Sequence, residues 1–257
     1  MQPYYEHGGI TIYHGRWEDV QSTIDACDLV VTSPPYNLKR QWWDQGANGI
    51  FPGMARKLTA EWYEDTLPEP AYQQQQRAFL DAWITKCRGS VCYNHKLRHA
   101  IKREGKVYHP MEWMIGLPLW TEIIWDRGGG VAHNSRRPLV VDERIYVFGR
   151  PVAWHDYNYT SIWRIPGVAQ GIDHPCPFPF ELARRLISIF TDRSALVVDP
   201  YMGSGTTLRA AKTMGRRSIG IEAHEPYCEL AARSLDTTFY EPQSECAALD
   251  DLPLFSA

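Results

Sequence analysis

The chain has 257 residues, of which 44% are apolar, enough for the packed core of one large domain. It contains no run of about 18 apolar residues and no N-terminal charged-then-apolar segment, so we expect neither a membrane-spanning helix nor a signal peptide. Its 6 cysteines include no Cys-x-x-Cys pair and its 9 histidines form no ligand pattern. We therefore expect a cytoplasmic protein with reduced thiols and no metal.

The net charge of −3 is unevenly distributed along the chain. Residues 86–150 contain 12 Lys and Arg against 6 Asp and Glu, whereas the remainder contains 15 against 24. A basic middle on an acidic body is consistent with a surface that faces nucleic-acid phosphates. A solvated basic face is the alternative.

Strand-like and helix-like segments alternate along the chain, a pattern typical of α/β proteins. Short apolar runs predict strands at residues 10–13, 29–32, 90–93, 196–199 and 218–222. Apolar residues at helical spacing predict helices at residues 71–87, 180–190, 206–214 and 226–235. Residues 37–70 show no sustained period, so we expect a long loop over the active site.

The tetrapeptide Ser33-Pro34-Pro35-Tyr36 ends the second predicted strand. Neither proline can donate to a sheet, so together they hold a stiff loop at the carboxyl end of the strand. A serine hydroxyl, free backbone carbonyls and a flat tyrosine ring could grip a planar group that bears an amine, such as a nucleobase. A rigid turn capped by a tyrosine is the structural alternative.

A second loop follows the predicted strand 196–199, which ends in Asp199, and leads into a predicted helix. Its glycines allow the backbone to approach a ligand, and the helix N-terminus offers free N–H groups. The loop has no P-loop lysine, and Asp199 would repel a pyrophosphate. The next strand ends in Glu222, where nucleotide-binding folds place the acid that binds ribose hydroxyls. Together these features predict a site for an adenosine-containing cofactor with a positively charged end.

Ser-Pro-Pro-Tyr followed far downstream by Asp-Pro-Tyr-Met-Gly-Ser-Gly-Thr-Thr resembles the β-group of DNA amino-methyltransferases, which use S-adenosylmethionine. The resemblance covers most of the chain, including residues 174–190 and the strands at 121–126 and 143–148. It implies a Rossmann-like methyltransferase fold, with permuted motif order, a doubly wound and mostly parallel seven-stranded sheet, and a small target-recognition insert. It also implies that the Ser33 and Asp199 strands are neighbours.

The resemblance implies methyl transfer to an exocyclic amine of a base flipped out of double-stranded DNA. Catalytic residues are then Ser33, Pro34, Pro35 and Tyr36. The expected cofactor contacts are Thr32, Phe178, Asp199, Tyr201, Gly203, Ser204, Gly205, Thr206 and Glu222. Serine at the first motif position favours cytosine N4, and adenine N6 is the alternative. A non-catalytic DNA-binding relative and an RNA or protein methyltransferase are less favoured, because both motifs are intact and their order differs from that of the RNA and protein enzymes.

Target recognition is expected in the central part of the chain. The five arginines expected to contact DNA are Arg127, Arg136, Arg137, Arg150 and Arg164. Nearby aromatic residues suit bases and phosphates, although they could equally pack this segment onto the body.

The domain boundaries follow from these assignments. Residues 1–127 form the catalytic half, 128–171 the target-recognition insert, 172–235 the cofactor-binding half and 236–257 an acidic tail. The segment Leu252-Pro253-Leu254-Phe255 resembles motifs by which bacterial replication proteins dock on the sliding clamp, although the usual leading glutamine is missing. Enzymes of this group are often dimers, which leaves a homodimer open. A bacterial or phage-encoded protein of the cytoplasm is expected.

Overall fold

The computed structural model describes residues 1–37, 67–99, 106–129, 138–155, 159–167 and 178–238. Its strands are β1 (Tyr5–His7), β2 (Ile10–His14), β3 (Cys27–Thr32), β4 (Cys87–His95), β5 (Arg98–His99), β6 (Val107–Tyr108), β7 (Leu119–Asp126), β8 (Asp142–Phe148), β9 (Ile162–Arg164), β10 (Leu196–Asp199) and β11 (Arg217–Glu222). Its α-helices are α1 (Trp17–Val20), α2 (Glu69–Lys86), α3 (Met111–Met114), α4 (Phe180–Phe190), α5 (Thr206–Thr213) and α6 (Glu225–Asp236).

The main sheet has nine strands, in the order β1-β2-β11-β10-β3-β4-β8-β7-β9. All seven predicted strands lie in it, so the number seven was too low by the two edge strands, β1 and β9. These edges are 3 residues long each and too short to show a period in the sequence. Strand β9 pairs with β7 in parallel, so part of the expected target-recognition insert belongs to the central sheet.

The sheet is doubly wound, because alternate residues of β3 face different helices. Leu29 and Val31 lie in one buried cluster with helix α4, whereas Val30 packs in another with Phe79 and Trp83 of helix α2. This alternation follows from the two-residue period of a strand. Both faces of the central strands are thus covered, as the apolar runs in the sequence require.

The chain order reverses between β3 and β10, which pair in parallel through Val197–Leu29 and Val198–Val30. From this pair β3 leads to β4 on one side, and β10 leads to β11 on the other. This is the switch point of an open α/β sheet, where ligands bind beyond the carboxyl ends of the strands. The expectation that the Ser33 and Asp199 strands are neighbours is confirmed.

Beyond β4, strand β8 reverses the direction of the sheet. Strand β8 runs against both β4 and β7, so its first residues lie at the same edge as the carboxyl ends of β3 and β10. Polar residues that begin β8 are therefore brought to the switch-point edge, while the residues that follow β8 leave from the opposite edge.

None of the helices in the described ranges is long and apolar enough to cross a membrane. Most of the expected loop at 37–70 lies outside the described residues, as do Arg136, Arg137 and the segment 252–255. Only the first residues of the expected acidic tail are described, and Asp236 belongs to helix α6.

Candidate active site at the carboxyl edge of the sheet

Asp199 joins the two sequence motifs directly. Thr32, the last residue of β3, donates its hydroxyl to Asp199 Oδ1 at 2.9 Å, and Thr207 of helix α5 donates to Oδ2 at 2.6 Å. The backbone N–H of Tyr201 also donates to Oδ1, at 3.2 Å. Ser33 is the next residue after Thr32. The proline loop and the glycine loop therefore lie at the same edge of the sheet.

Glu222 holds the other end of the glycine loop. Its Oε2 accepts the backbone N–H of Gly203 at 3.0 Å, and its Oε1 accepts that of His224 at 2.9 Å. Between them, Asp199 and Glu222 bind two N–H groups of the loop at 200–205. The loop is therefore fixed by the acids that end β10 and β11.

Burial disfavours the charge on both acids. It raises the pKa of Asp199 to about 6, an increase that the hydrogen bonds from Thr207 and Thr32 oppose. Burial likewise raises the pKa of Glu222 to about 7; the N–H groups of His224 and Gly203 oppose this increase and the nearby Asp199 charge adds to it. A cationic ligand that also offers hydroxyl donors would favour the ionised form of both side chains.

Gly205 provides the turn from the loop into helix α5. Its φ of 81° lies in the left-handed region, and a Cβ there would lie 2.8 Å from the Ala231 Cβ. Only glycine satisfies both the backbone and the packing at this position. Helix α5 then begins at Thr206, and the hydroxyl of its second residue, Thr207, reaches the Asp199 carboxylate.

Tyr36 is held by polar side chains rather than left free at the end of its loop. Its hydroxyl donates to Glu143 Oε2 at 2.9 Å and lies 2.9 Å from Ser33 Oγ. Asn94 Nδ2 contacts the same hydroxyl at 2.6 Å and Glu143 Oε2 at 3.0 Å. The Arg127 guanidinium pairs with the other oxygen of Glu143 at 3.2 Å.

His95 supports the proline loop from beneath. Its ring Nε2 lies 2.7 Å from the Tyr72 hydroxyl, which donates to the Pro35 carbonyl at 2.6 Å. Since the Tyr72 proton is used for Pro35, Nε2 is placed to donate to the Tyr72 oxygen, while Nδ1 lies 2.9 Å from both the N–H and the carbonyl oxygen of Lys96. Burial, with the charge of Arg98, lowers the pKa of His95 well below its ordinary value, so the ring is neutral.

The remaining expected cofactor residues make other contacts. Phe178 packs its ring against Trp125, with 6.2 Å between centroids, and Tyr201 packs against Phe79 at 5.2 Å. Ser204 is half-buried in the glycine loop, and Thr206 is buried at the start of α5. That these side chains bind a ligand stays a prediction.

The described arginines expected to contact DNA lie on two different edges. Arg164 ends β9 at the active-site edge with 86% of its side chain exposed, 3.5 Å from Asp126. Arg127 lies at the same edge, paired with Glu143. Arg150 follows β8 at the opposite edge, where its guanidinium lies 5.9 Å from the centroid of the Trp120 ring. Arg150 therefore lies apart from Arg127 and Arg164, because β8 is antiparallel to its neighbours.

The aromatic residues beside these arginines pack mainly onto the body. Trp163 is only 3% exposed, and its ring lies 5.6 Å from that of Tyr159. Trp154 contacts Phe190 of helix α4 at 5.4 Å. Of the two alternatives for this segment, the structure supports packing for Trp163 and Tyr159, whereas Trp154 is 38% exposed.

Sequence reasoning missed Asn94, Glu143, His95, Tyr72 and Thr207. Asn94 and His95 directly follow the predicted strand 90–93, so the rule that ligands bind beyond strand ends could have found them. Glu143 stands at the start of a strand, and only the antiparallel direction of β8 brings it to this edge. Within the described ranges, no group of three or more His, Cys, Asp or Glu side chains could hold a metal ion.

An α/β sheet with a glycine loop and a proline loop at its switch point defines a nucleotide-binding enzyme of the methyltransferase type. The family model described as DNA methylase, which covers N6 and N4 enzymes, matches residues 27–233. The chain belongs to this family and is a DNA methyltransferase.

Known relatives agree with this assignment. The chain is 41% identical to the type II methyltransferase M2.DpnII of Streptococcus pneumoniae, over 91% of this chain and 92% of that protein. The structure of the PvuII cytosine-N4-specific DNA methyltransferase is similar with a TM-score of 0.72 and 20% identity, over 93% of this chain and 91% of that one. The M1.HpyAVI–SAM complex is similar with a TM-score of 0.56 and 20% identity, over 88% and 99%. At these identities the two structures show the fold alone.

Proposed function

We propose that this DNA methyltransferase transfers the methyl group of S-adenosylmethionine to the exocyclic amine of a base flipped out of a specific site in double-stranded DNA. The observation that carries the proposal is the hydrogen bond between Thr32 and Asp199. It joins the strand that ends in the Ser33 loop to the strand that ends in the glycine loop. A methyl donor in one loop and an amine in the other would thus lie in one cleft.

The cofactor occupies the glycine loop in this proposal. Glu222 accepts hydrogen bonds from the ribose hydroxyls, and Asp199 lies near the amino-acid end. Backbone at Gly203 and Gly205 lines the methionine portion. The remaining cofactor contacts are Thr32, Phe178, Tyr201, Ser204 and Thr206. The buried carboxylates support a cationic ligand, because such a ligand offsets the cost of burying their charges.

The target amine occupies the proline loop. Its lone pair is delocalised into the ring, so it is a poor nucleophile until its geometry becomes tetrahedral. Hydrogen bonds from the amine to Ser33 Oγ and to the Pro34 carbonyl favour that geometry and strengthen as the transition state forms. The Tyr36 ring stacks on the flipped base, a contact worth roughly 1–3 kcal/mol per base.

Cytosine N4 is the favoured target because serine occupies the first motif position, and adenine N6 is the alternative. Arg127 and Arg164, at the active-site edge, are proposed to face the DNA, together with Arg136 and Arg137. A homodimer, a sliding-clamp contact through residues 252–255 and a cytoplasmic location remain part of the proposal.

Nucleoside mass spectrometry tests both the reaction and the base. Unmethylated plasmid DNA is incubated with the protein and S-adenosylmethionine, digested, and analysed for N4-methylcytosine and N6-methyladenine. The Ser33→Ala variant serves as the matched control and should lose about 10²- to 10³-fold in kcat, the usual effect of removing one transition-state hydrogen bond. Mainly N6-methyladenine would overturn the choice of base, and full activity of Ser33→Ala would overturn the site.

A further inference from the structure

Glu143 is a buried carboxylate at the active-site edge for which the proposed reaction has no role so far. It is 6% exposed, and both of its oxygens are engaged. Oε1 pairs with Arg127, and Oε2 accepts from the Tyr36 hydroxyl and from Asn94 Nδ2. A charge at this depth is costly unless it is fully paired, so its partners are constrained in turn.

The carboxylate determines the direction of the hydrogen bonds around Tyr36. Tyrosine has one hydroxyl proton, and Glu143 Oε2 is the strongest acceptor within reach, at 2.9 Å. The Tyr36 oxygen then accepts from Asn94 Nδ2 at 2.6 Å and from the Ser33 hydroxyl at 2.9 Å. Because the Ser33 proton points to Tyr36, both lone pairs of Ser33 Oγ can accept; Asn94 Nδ2 lies 3.3 Å from this oxygen and donates to one of them, which leaves the other available.

The orientation of the Asn94 amide is fixed by the same carboxylate. If the amide were reversed, Oδ1 would lie about 3 Å from Glu143 Oε2, and two acceptors would face each other. In the observed orientation Oδ1 is buried without a hydrogen-bond partner among the described residues. The whole cluster therefore has one arrangement of protons as long as Glu143 carries its charge.

We propose that Glu143 is a positioning residue, which keeps Ser33 Oγ a hydrogen-bond acceptor toward the amine of the target base. The proposal rests on the proposed function, in which Ser33 accepts from that amine. An amine about to be methylated can only donate a hydrogen bond to the serine. If the hydrogen bonds among Glu143, Tyr36 and Ser33 ran in the opposite direction, the Ser33 hydroxyl proton would face the amine instead of a lone pair. Glu143 acts through Tyr36 and Ser33 and does not touch the base.

Glutamine at position 143 is nearly isosteric but cannot satisfy the cluster. With its NH₂ group at the Oε2 position, it would face Asn94 Nδ2, which is also a donor. With its NH₂ group at the Oε1 position, it would face the Arg127 guanidinium. Either orientation leaves two donors in contact. The second sets a donor against the Arg127 cation and is the less favourable, so the first prevails and reverses the Tyr36 and Ser33 hydroxyls.

A second substitution should restore the original direction. In the double variant that combines Asn94→Asp with Glu143→Gln, the introduced glutamine keeps its oxygen toward Arg127 and donates its NH₂ group to the introduced aspartate. The new carboxylate accepts the Tyr36 proton, so Ser33 again donates to Tyr36, or to the carboxylate itself. In both cases Ser33 Oγ remains an acceptor toward the amine.

The experiment measures kcat for methylation of plasmid DNA that the wild-type protein methylates, at saturating cofactor and DNA. Glu143→Gln should lower kcat by about 10²-fold, as expected for misplaced reacting groups, with unchanged S-adenosylmethionine binding. The double variant should recover most of this loss. Glu122→Gln is the control: it removes a partly exposed carboxylate of β7 that pairs with Arg144 of β8. It should leave kcat unchanged within about twofold.

A double-mutant cycle separates positioning from a structural role. If Glu143 acts through Ser33, adding Glu143→Gln to Ser33→Ala should lower kcat by no more than about twofold. A full further loss in the Ser33→Ala background would overturn the proposal, as would full activity of Glu143→Gln alone. If Glu143→Gln fails to fold, a folded but inactive double variant with Asn94→Asp overturns it instead. A wild-type protein that methylates no DNA would refute the proposed function itself and is recognised before any variant is made.

Discussion

Replacing Glu222 with glutamine should flatten the pH dependence of S-adenosylmethionine binding. Burial raises the pKa of Asp199 to about 6 and that of Glu222 to about 7 in the protein without ligand. The cofactor brings a sulfonium, an ammonium and ribose hydroxyls, all of which favour ionised carboxylates. Binding must therefore weaken as pH falls, because a proton has to be removed from each acid before the charged complex forms.

These two pKa values give the size of the effect. At pH 6, half of Asp199 and about one in eleven of Glu222 are ionised, so about one molecule in twenty carries both charges. At pH 7.5 about three molecules in four carry both. The wild-type dissociation constant should thus be about 15-fold larger at pH 6 than at pH 7.5. In Glu222→Gln only Asp199 titrates, and the ratio should fall to about twofold.

Isothermal titration calorimetry at the two pH values measures both ratios. Repeating the titrations in buffers of different ionisation enthalpy counts the protons released, of which Glu222 should supply most near pH 6.5. The amine of the ligand titrates near pH 8 and contributes equally to both proteins, so the difference between them isolates Glu222. Equal ratios for the wild-type protein and the variant would refute the assignment of Glu222 to the cofactor.

Three further predictions concern stability. The folded-state pKa of Glu222 is raised, so its neutral form stabilises the ligand-free protein below about pH 4.5, and up to about 3 kcal/mol is lost as pH rises through 7. The melting temperature of Glu222→Gln should therefore rise relative to wild type between pH 5 and pH 8; a constant difference would contradict the burial argument. Gly205→Ala should cost more than the roughly 1–2 kcal/mol of a left-handed alanine, because it also clashes. Gly8 also has a positive φ, but a Cβ there would meet no neighbouring atom, so Gly8→Ala serves as the control. If urea unfolding showed an equal loss of stability for both variants, the clash with Ala231 would not be the cause. Trp163→Ala should cost about 3–5 kcal/mol, whereas Ile162→Ala on the exposed side of β9 should change stability by less than about 0.5 kcal/mol. A small loss of stability for Trp163→Ala would indicate that β9 belongs to the predicted target-recognition insert and not to the packed body.

The central strands and the two motif loops were predictable because their signals are local. Buried parallel strands such as 29–32 and 196–199 read as continuous apolar runs, and the loops after them contain proline or glycine. The boundaries of α4 were predicted as observed for the same reason, since its apolar face repeats at helical spacing. The edge strands β1 and β9 were missed because each is 3 residues long and two of its three residues are exposed.

By itself, the sequence determined the fold class, the family and the residues that begin each loop. These signals are local, because the proline, glycine and acidic residues stand directly after the strands that they end. Only the tertiary structure decided that Glu143 and Asn94 meet at Tyr36 and Ser33, 107 and 58 residues from Tyr36 along the chain. It also separated Arg150 from Arg164. The position of Glu143 and the separation of Arg150 from Arg164 both depend on the antiparallel direction of β8, which is set by pairing between strands and not by any residue within it.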